Sequence, residues 1–296
     1  MKYFDRSPFV PITERPAFAW PNKARLAVWI TNNVEYFRED STGGVGLTTA
    51  KPAQPPDIAN YTWRDFGPRV GFWRLAKLLK EFDLPVSVAL NAEACQYYPQ
   101  VVQACIDMGW ELMGHGRNNN EHLNGKTLEE ERAIIGETLA TIKTFSGKPP
   151  IGWLGPGVAE TVNSLDLLAE AGIRYVADWV NDEQPTWLNT IHGPIGSVPT
   201  STEINDLIGV VARHYTGPEL AQIIIDQFDE LYEAADESGR MMCIVLHSPF
   251  SGAPFRIRHL RRAFAHIRGK KDVWFATAGE IWAHYAASCP AGAARP

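Results

Sequence analysis

Residues 110–120, Trp110-Glu-Leu-Met-Gly-His-Gly-Arg-Asn-Asn-Asn120, decide how the chain is read. A short strand-like run, Glu111 to Gly114, ends on a glycine and delivers His115. In parallel α/β architectures functional groups gather at the carboxyl ends of the strands, which is where His115 stands. Asn119 follows at i+4, so after a helical or tight turn an imidazole and an amide oxygen can converge on one point. A loop histidine followed by a turn-forming Asn cluster is the plainer reading of the same residues. The stretch alone does not separate the two.

Outward from it, strand and helix patterns alternate. Leu26 to Thr31 is a continuous apolar run of the kind buried on both faces of a parallel sheet. Further strands are predicted at Pro85–Leu90, Glu111–Gly114, Ile151–Leu154, Ile173–Asp178, Ile208–Val211, Met241–His247 and Val273–Ala276. Between them, Leu75, Leu78, Leu79 and Phe82 mark one helical face, and Leu220, Ile224, Phe228 and Leu231 another after Pro218. Helices are also predicted over Val101–Met108 and Leu165–Ala171. Thr127-Leu-Glu-Glu130 has the form of a capping box and opens a helix to about Phe145. Seven or eight strands with helices between most of them predict a closed or nearly closed parallel β/α barrel, in a single domain spanning residues 1–296. The first 24 residues, with Pro8, Pro11, Pro16 and Pro21, read as an extended arm over the outside. Phe37 to Phe66 reads as a long irregular stretch, of a length that usually serves as a lid or binding loop.

Composition narrows the classes of function. With 45% hydrophobic and 21% charged residues the chain has enough apolar surface for a sizeable core. A net charge of −6 argues against nucleic acid as the main partner. The one basic cluster, Arg256 to Arg262, reads as the solvated face of a helix whose apolar side is Leu260, Phe264 and Ile267. Cys95, Cys105, Cys243 and Cys289 form no Cys-x-x-Cys pair and read as reduced thiols. No signal-peptide h-region or membrane-length apolar run is present, so the expected setting is cytoplasmic.

The strand ends carry the chemistry. The first strand runs out through Asn33 and Glu35, another into His115, the Ile173 strand into Asp178-Trp179, and the Met241 strand into His247. Glu35 alone reads as a surface glutamate at a loop start. Glu35, His115 and His247 together, each directly after an apolar run, point to a site for metal-assisted or general acid–base hydrolysis.

Several blocks in order, spread over nearly the whole chain, resemble the polysaccharide deacetylase (NodB-homology) superfamily, and within it the branch of the metal-independent allantoinase and the cyclic imide hydrolases. They are Asp65-Phe-Gly-Pro-Arg-Val-Gly-Phe-Trp-Arg-Leu75, Gly109-Trp-Glu-Leu-Met-Gly-His115, Gly152-Trp-Leu-Gly-Pro-Gly157, Asp178-Trp-Val-Asn-Asp-Glu-Gln-Pro185 and Leu246-His247. The resemblance implies a distorted seven-stranded parallel β/α barrel and hydrolysis of a carbon–nitrogen amide bond. Three departures accompany it. Where the superfamily's deacetylases carry an Asp pair, one as base and one as metal ligand, this sequence has Asn33 and Glu35. Where two histidines four apart reach the metal, it has His115 and Asn119. Where an arginine holds the catalytic aspartate, Trp153-Leu-Gly-Pro-Gly157 has none, and beside Asn33 such an arginine has no role.

Two site models follow. In the preferred one Glu35, His115 and the weaker donor Asn119 hold one divalent cation, with zinc the expected ion. In the other, no metal takes part: Glu35 activates water directly, and Arg69 or backbone N–H groups stabilise the oxyanion. In both, His247 protonates the departing nitrogen. The expected reaction is ring opening of a small cyclic amide such as an imide, a hydantoin or a ureide like allantoin. The expected mouth is lined by Trp153, Trp179 and Trp187, with Asn33 and Asn119 reading the ring and Asp178 beside it; core packing is the plainer reading for Trp187. Rival readings are an N-deacetylase of a sugar or peptidoglycan fragment and a non-catalytic small-ligand binding protein. A homo-oligomer, dimer or tetramer, is expected from the resemblance and from an arm and loop able to cross to a neighbour.

Overall fold

The computed structural model describes residues 3–40 and 56–291. Its nine strands are β1 Leu26–Asn33, β2 Ser87–Leu90, β3 Glu111–Gly114, β4 Gly152–Trp153, β5 Tyr175–Val176, β6 Thr186–Leu188, β7 Ile195–Ser197, β8 Arg240–His247 and β9 Val273–Phe275. They form one curled sheet in the order β6-β7-β5-β4-β3-β2-β1-β8. The seven strands from β7 to β8 are mutually parallel, and β6 is the antiparallel edge. One edge of β1 is shared, with β9 beside Leu26–Val28 and β2 joining further up at Thr31. No ladder joins β7 to β8 among the described residues. Loops span that gap, the N–H groups of Met241 and Val245 donating to the carbonyls of Glu183 and Ile204 at 2.8 and 2.9 Å.

The longer helices are α1 Ile58–Phe66, α2 Phe72–Glu81, α3 Pro99–Asp107, α4 Leu128–Ser146, α5 Ser164–Glu170, α6 Gly217–Ala234, α7 Pro254–Arg268 and α8 Ala278–Ser288. The capping box at Thr127 forms as its sequence predicts, the hydroxyl accepting from Glu130 N–H and the Glu130 carboxylate from Thr127 N–H. Two readings are corrected. Ile208–Ala212 is a wide helical turn rather than a strand, because Asn205 accepts at its side chain from the N–H groups of Leu207 and Ile208 and starts a helix. Within the stretch read as irregular, Ile58–Phe66 is helical, capped by Asp57, whose side chain accepts from Asn60 N–H; its residues 41–55 lie outside the described part. The arm is anchored at two buried side chains. Trp20 is 2% exposed and donates to Arg240 carbonyl at 2.7 Å, and Arg6 pairs with Asp166 at 2.6 Å.

The period of two in each strand divides the core into an inside and an outside. Ala27, Trp29, Ala89, Met113, Leu154, Tyr175, Ala177, Cys243 and Val245 fill the lumen. Leu26, Val28, Ile30, Leu90, Met242, Ile244 and Leu246 face the surrounding helices, as do Trp153 and Val176 in a second outer cluster. This parity decides which residues reach the mouth. Continued past the apolar runs, the lumen row of β1 leads to Asn33 and Glu35, that of β3 to His115 and that of β8 to His247.

Above the lumen, α1 and α2 are joined by a wide π-type turn, Gly67–Gly71, lying against the short helix Ser248–Ser251 that follows His247. Contact is close enough that a Cβ on Gly71 would overlap the Ser248 carbonyl, and one on Gly67 would sit 2.7 Å from the Pro249 ring. Gly71→Ala should therefore destabilise the protein by about 2 kcal/mol, the scale of overpacking a tight contact. Chemical denaturation measures it; an unchanged midpoint would show that the turn can draw back without cost.

Candidate active site

Four side chains meet at the lumen mouth. Glu35 Oε1 lies 3.5 Å from His115 Nε2 and 3.5 Å from His247 Nε2. Asn33 Nδ2 is 3.5 Å from the same carboxylate oxygen and 3.1 Å from His247 Nε2. Both imidazoles are buried and the Glu35 side chain is 12% exposed. Each ring is fixed from behind. His115 Nδ1–H donates to the Leu154 carbonyl, which leaves the lone pair of the neutral ring on Nε2, facing Glu35. His247 Nδ1–H donates to Asp206 Oδ1 at 2.7 Å.

Asp206 is the residue that sequence reasoning missed. It is 1% exposed and also accepts from His247 N–H at 2.9 Å and from Ser251 Oγ at 2.5 Å. No local pattern points to it. It sits 41 residues from His247, just before the turn read as a strand.

The electrostatics follow from this geometry. Burial lowers the His247 pKa, but the Glu35 and Asp206 carboxylates outweigh it, and the ring is raised to about 10. Burial alone would raise Glu35, yet the charge of His247 and its N–H facing the carboxylate hold it well below the usual carboxylate range. At neutral pH the mouth therefore holds a carboxylate and an imidazolium side by side. The Asn33 amide answers to that charge: beside an imidazolium N–H it must present its oxygen, beside a neutral ring its nitrogen.

A cavity of about 20 Å³, room for roughly one water molecule, lies beside this group, lined by Asn33, Glu35, Phe37, Tyr61, Arg64, Asp65, Pro68, Tyr98, Ser248 and Pro249. Arg64, on α1, was also missed, because its stretch reads as loop. Its guanidinium lies 4.0 Å over the Phe37 ring, and burial lowers its pKa while Glu35 supports the charged form.

Other expected site residues are placed elsewhere. Arg69 is 74% exposed and pairs with Asp65 one turn back; Asp65 lines the cavity and Arg69 does not. Trp153 and Asp178 have the outward parity of their strands. Trp153 is fully buried between sheet and helices with Ile134 and Leu168, where only a glycine at 114 leaves room for its ring. Asp178 accepts from Gly155 N–H at 2.7 Å, and burial together with the nearby Glu160 raises its pKa. Trp179 packs on the same outer cluster and donates to Glu160 at 3.0 Å. Trp187 packs edge-on to Trp282 at 4.5 Å.

Residues 53–176 match the polysaccharide deacetylase family model. A crystal structure of PuuE allantoinase superposes with a TM-score of 0.86 at 27% identity, covering 93% of this chain and 95% of that one. Over residues 53–176 the chain is similar to polysaccharide deacetylase (NodB) domains, and its fold is that of the PuuE allantoinase structure. A Schizosaccharomyces pombe protein that carries a polysaccharide deacetylase name is 27% identical over 95% of both chains. A peptidoglycan deacetylase of Helicobacter pylori is 21% identical over 73% of this chain and 84% of its own.

Deacetylases of this superfamily generally use a divalent metal. Among the described residues no three His, Cys, Asp or Glu side chains are arranged to hold one. His115 Nε2 and Asn119 Oδ1 are among the buried side-chain atoms without a hydrogen-bond partner. With Glu35 they make a nitrogen, a carboxylate and an amide oxygen, a donor set that suits a divalent cation in kind but holds it less firmly than two imidazoles and a carboxylate.

The His247 shift has a stability consequence of definite sign. A proton held more tightly in the folded state stabilises fully below the unfolded value of about 6.5 and loses that contribution as pH rises through the folded value of about 10. Asp206→Asn removes one of the two carboxylates behind the shift. In urea unfolding across that range, the variant should complete its loss at least about one pH unit earlier than the parent; superimposable pH dependences would show that Asp206 does not hold the proton.

Proposed function

We propose that this chain hydrolyses a carbon–nitrogen bond in a small cyclic amide, an imide, hydantoin or ureide such as allantoin, by attack of an activated water on a ring carbonyl. The observation that carries the reading is the buried Glu35–His247–Asp206 arrangement beside a cavity of one-water size. The likeness to PuuE allantoinase over nearly all of both chains supports it.

Water in that cavity gives a proton to Glu35 as its oxygen adds to the ring carbonyl carbon. The tetrahedral carbon then expels nitrogen, and the nitrogen takes the electron pair of the broken bond and a proton from His247. Glu35 returns its proton to His247, and the new acid ionises, leaving an open-chain carboxylate with an amide or ureido group. Asp206 keeps the imidazolium oriented and its proton available. Glu35, His115 and Asn119 would hold one divalent cation, with zinc the ion that suits an imidazole and a carboxylate; bound there, it supplies polarisation of the carbonyl. Without it, the same base and acid remain in place.

A second reading, removal of an acetyl group from a sugar or peptidoglycan fragment, is supported by the names of the two deacetylase relatives. It uses the same water and base. A homo-oligomer belongs to the proposal; the four cysteines are free, and no helix among the described residues is long and apolar enough to cross a membrane. Sedimentation equilibrium decides the assembly, and a monomer of 32.9 kDa at micromolar concentration would contradict it.

Glu35→Gln keeps the shape of the mouth but removes the base, so turnover should fall on the order of 10²-fold or more. Activity within a few-fold of the parent would overturn the assignment. The substrate is tested with protein purified without an affinity tag, assayed for bound metal and then offered succinimide, hydantoin, dihydrouracil, allantoin and an acetylated chitooligosaccharide before and after chelation. The expected result is sub-stoichiometric metal and opening of one of the rings that declines as metal is removed. Ring opening fully resistant to chelation would leave Glu35 acting as base without a cation, and turnover of the acetylated sugar alone would establish the second reading.

A further inference from the structure

Helix α7 carries five arginines, and three of them are engaged: Arg261 with Glu81, Arg262 with the Pro218 carbonyl and Gln222, and Arg268 with Asp83. Arg256 and Arg258 remain. Among the described residues neither makes a hydrogen bond or an ion pair, and Arg256 Nε is buried without a partner. Asp206 is the carboxylate whose field reaches Arg256, but its oxygens are taken by His247 and Ser251.

Both arginines line a groove of about 810 Å³ at the starts of α6 and α7, which shares no lining residue with the cavity at Glu35. The two helices touch there, a Cβ on Gly217 falling 2.9 Å from His259 Cδ2. His214 and His259 join the arginines in the lining, and no carboxylate does. Glu219, close by in sequence, is occupied by its capping box, accepting from the Thr216 N–H and hydroxyl at 2.8 and 2.6 Å. Two guanidinium groups with no carboxylate between them repel one another, and an oxyanion shared by both removes that cost. A phosphate suits them because it brings up to two charges and three acceptor oxygens. Apolar surface stands beside the charge: Phe255 is 59% exposed, Arg256 stacks on it at 4.5 Å from the ring centroid, and Tyr215 is in the same lining. We propose that this groove binds a soluble organic phosphate, its dianionic head held by Arg256 and Arg258 and its apolar body lying against Phe255 and Tyr215.

Calorimetry on the full-length protein at constant ionic strength compares phenyl phosphate, inorganic phosphate and phenol. Phenyl phosphate should bind at least about tenfold more tightly than phenol, the scale of a charge-assisted hydrogen bond, and more tightly than inorganic phosphate, which lacks the ring. Arg258→Gln should weaken phenyl phosphate at least about tenfold. Its side chain is exposed and unpaired, so the fold should be unaffected, and thermal melts establish this. Arg256→Gln should show the same loss. Arg174→Gln removes an equal charge from an exposed residue outside the groove and should leave binding unchanged. Phenyl phosphate binding no better than phenol, or a loss as large in Arg174→Gln as in Arg258→Gln, would overturn the inference. Inorganic phosphate binding as tightly as phenyl phosphate would overturn the part assigned to Phe255 and Tyr215. Binding of hexaglutamate or of phosphatidylglycerol vesicles, with none of phenyl phosphate, would also overturn it, because the groove would then receive a macromolecular surface.

Discussion

A carboxylate, an imidazole and a second carboxylate are buried in line at the mouth of the barrel, and the site depends on their balance. Glu35 and His247 lie 3.5 Å apart, with Asp206 2.7 Å behind the ring. An uncompensated charge in such a place would cost several kcal/mol or neutralise itself by a shifted pKa. The imidazolium between two carboxylates keeps Glu35 ionised and holds its own proton available. Asn33 fits this arrangement: a third carboxylate at that position would stand 3.5 Å from Glu35 and add a like charge to the mouth.

The fold supplies the convergence through strand parity. β1 and β8 run side by side in register, with Asn33 opposite His247, so two lumen rows end at the same height. β3 delivers His115 from further round, and the Leu154 carbonyl at the end of β4 orients its ring. The packing of the Gly67–Gly71 turn on Ser248 then brings α1, and with it Tyr61 and Arg64, over the mouth. Stability and function are joined here, because the residues that close the cavity are held by contacts to the helix immediately after His247.

How much of this could be read from the sequence depends on the range of the signal. Apolar runs ending in polar groups marked β1, β3 and β8, and from them came Glu35, His115 and His247. Strand parity is legible as well: alternating from Leu154 and Ala177 in the lumen, Trp153 and Asp178 fall to the outer layer. Asp206 left no trace, because its partner is 41 residues away and its own neighbourhood reads as a strand. Arg64 was hidden by the Gly- and Pro-rich residues that precede it, whose composition suggested a loop through to Phe66. The short strands β6 and β7, three residues each, are below the length at which alternation can be recognised.

The charge state of the central imidazole is the quantity on which this account turns, and nitrogen-15 NMR of histidine-labelled protein measures it. The His247 ring signals, assigned by their loss in His247→Gln, should show both nitrogens protonated at about pH 8 and titrate near 10. A ring that is already neutral at about pH 8 and titrates near its unperturbed value of about 6.5 would contradict the carboxylate–imidazolium–carboxylate arrangement and the proton donor it provides.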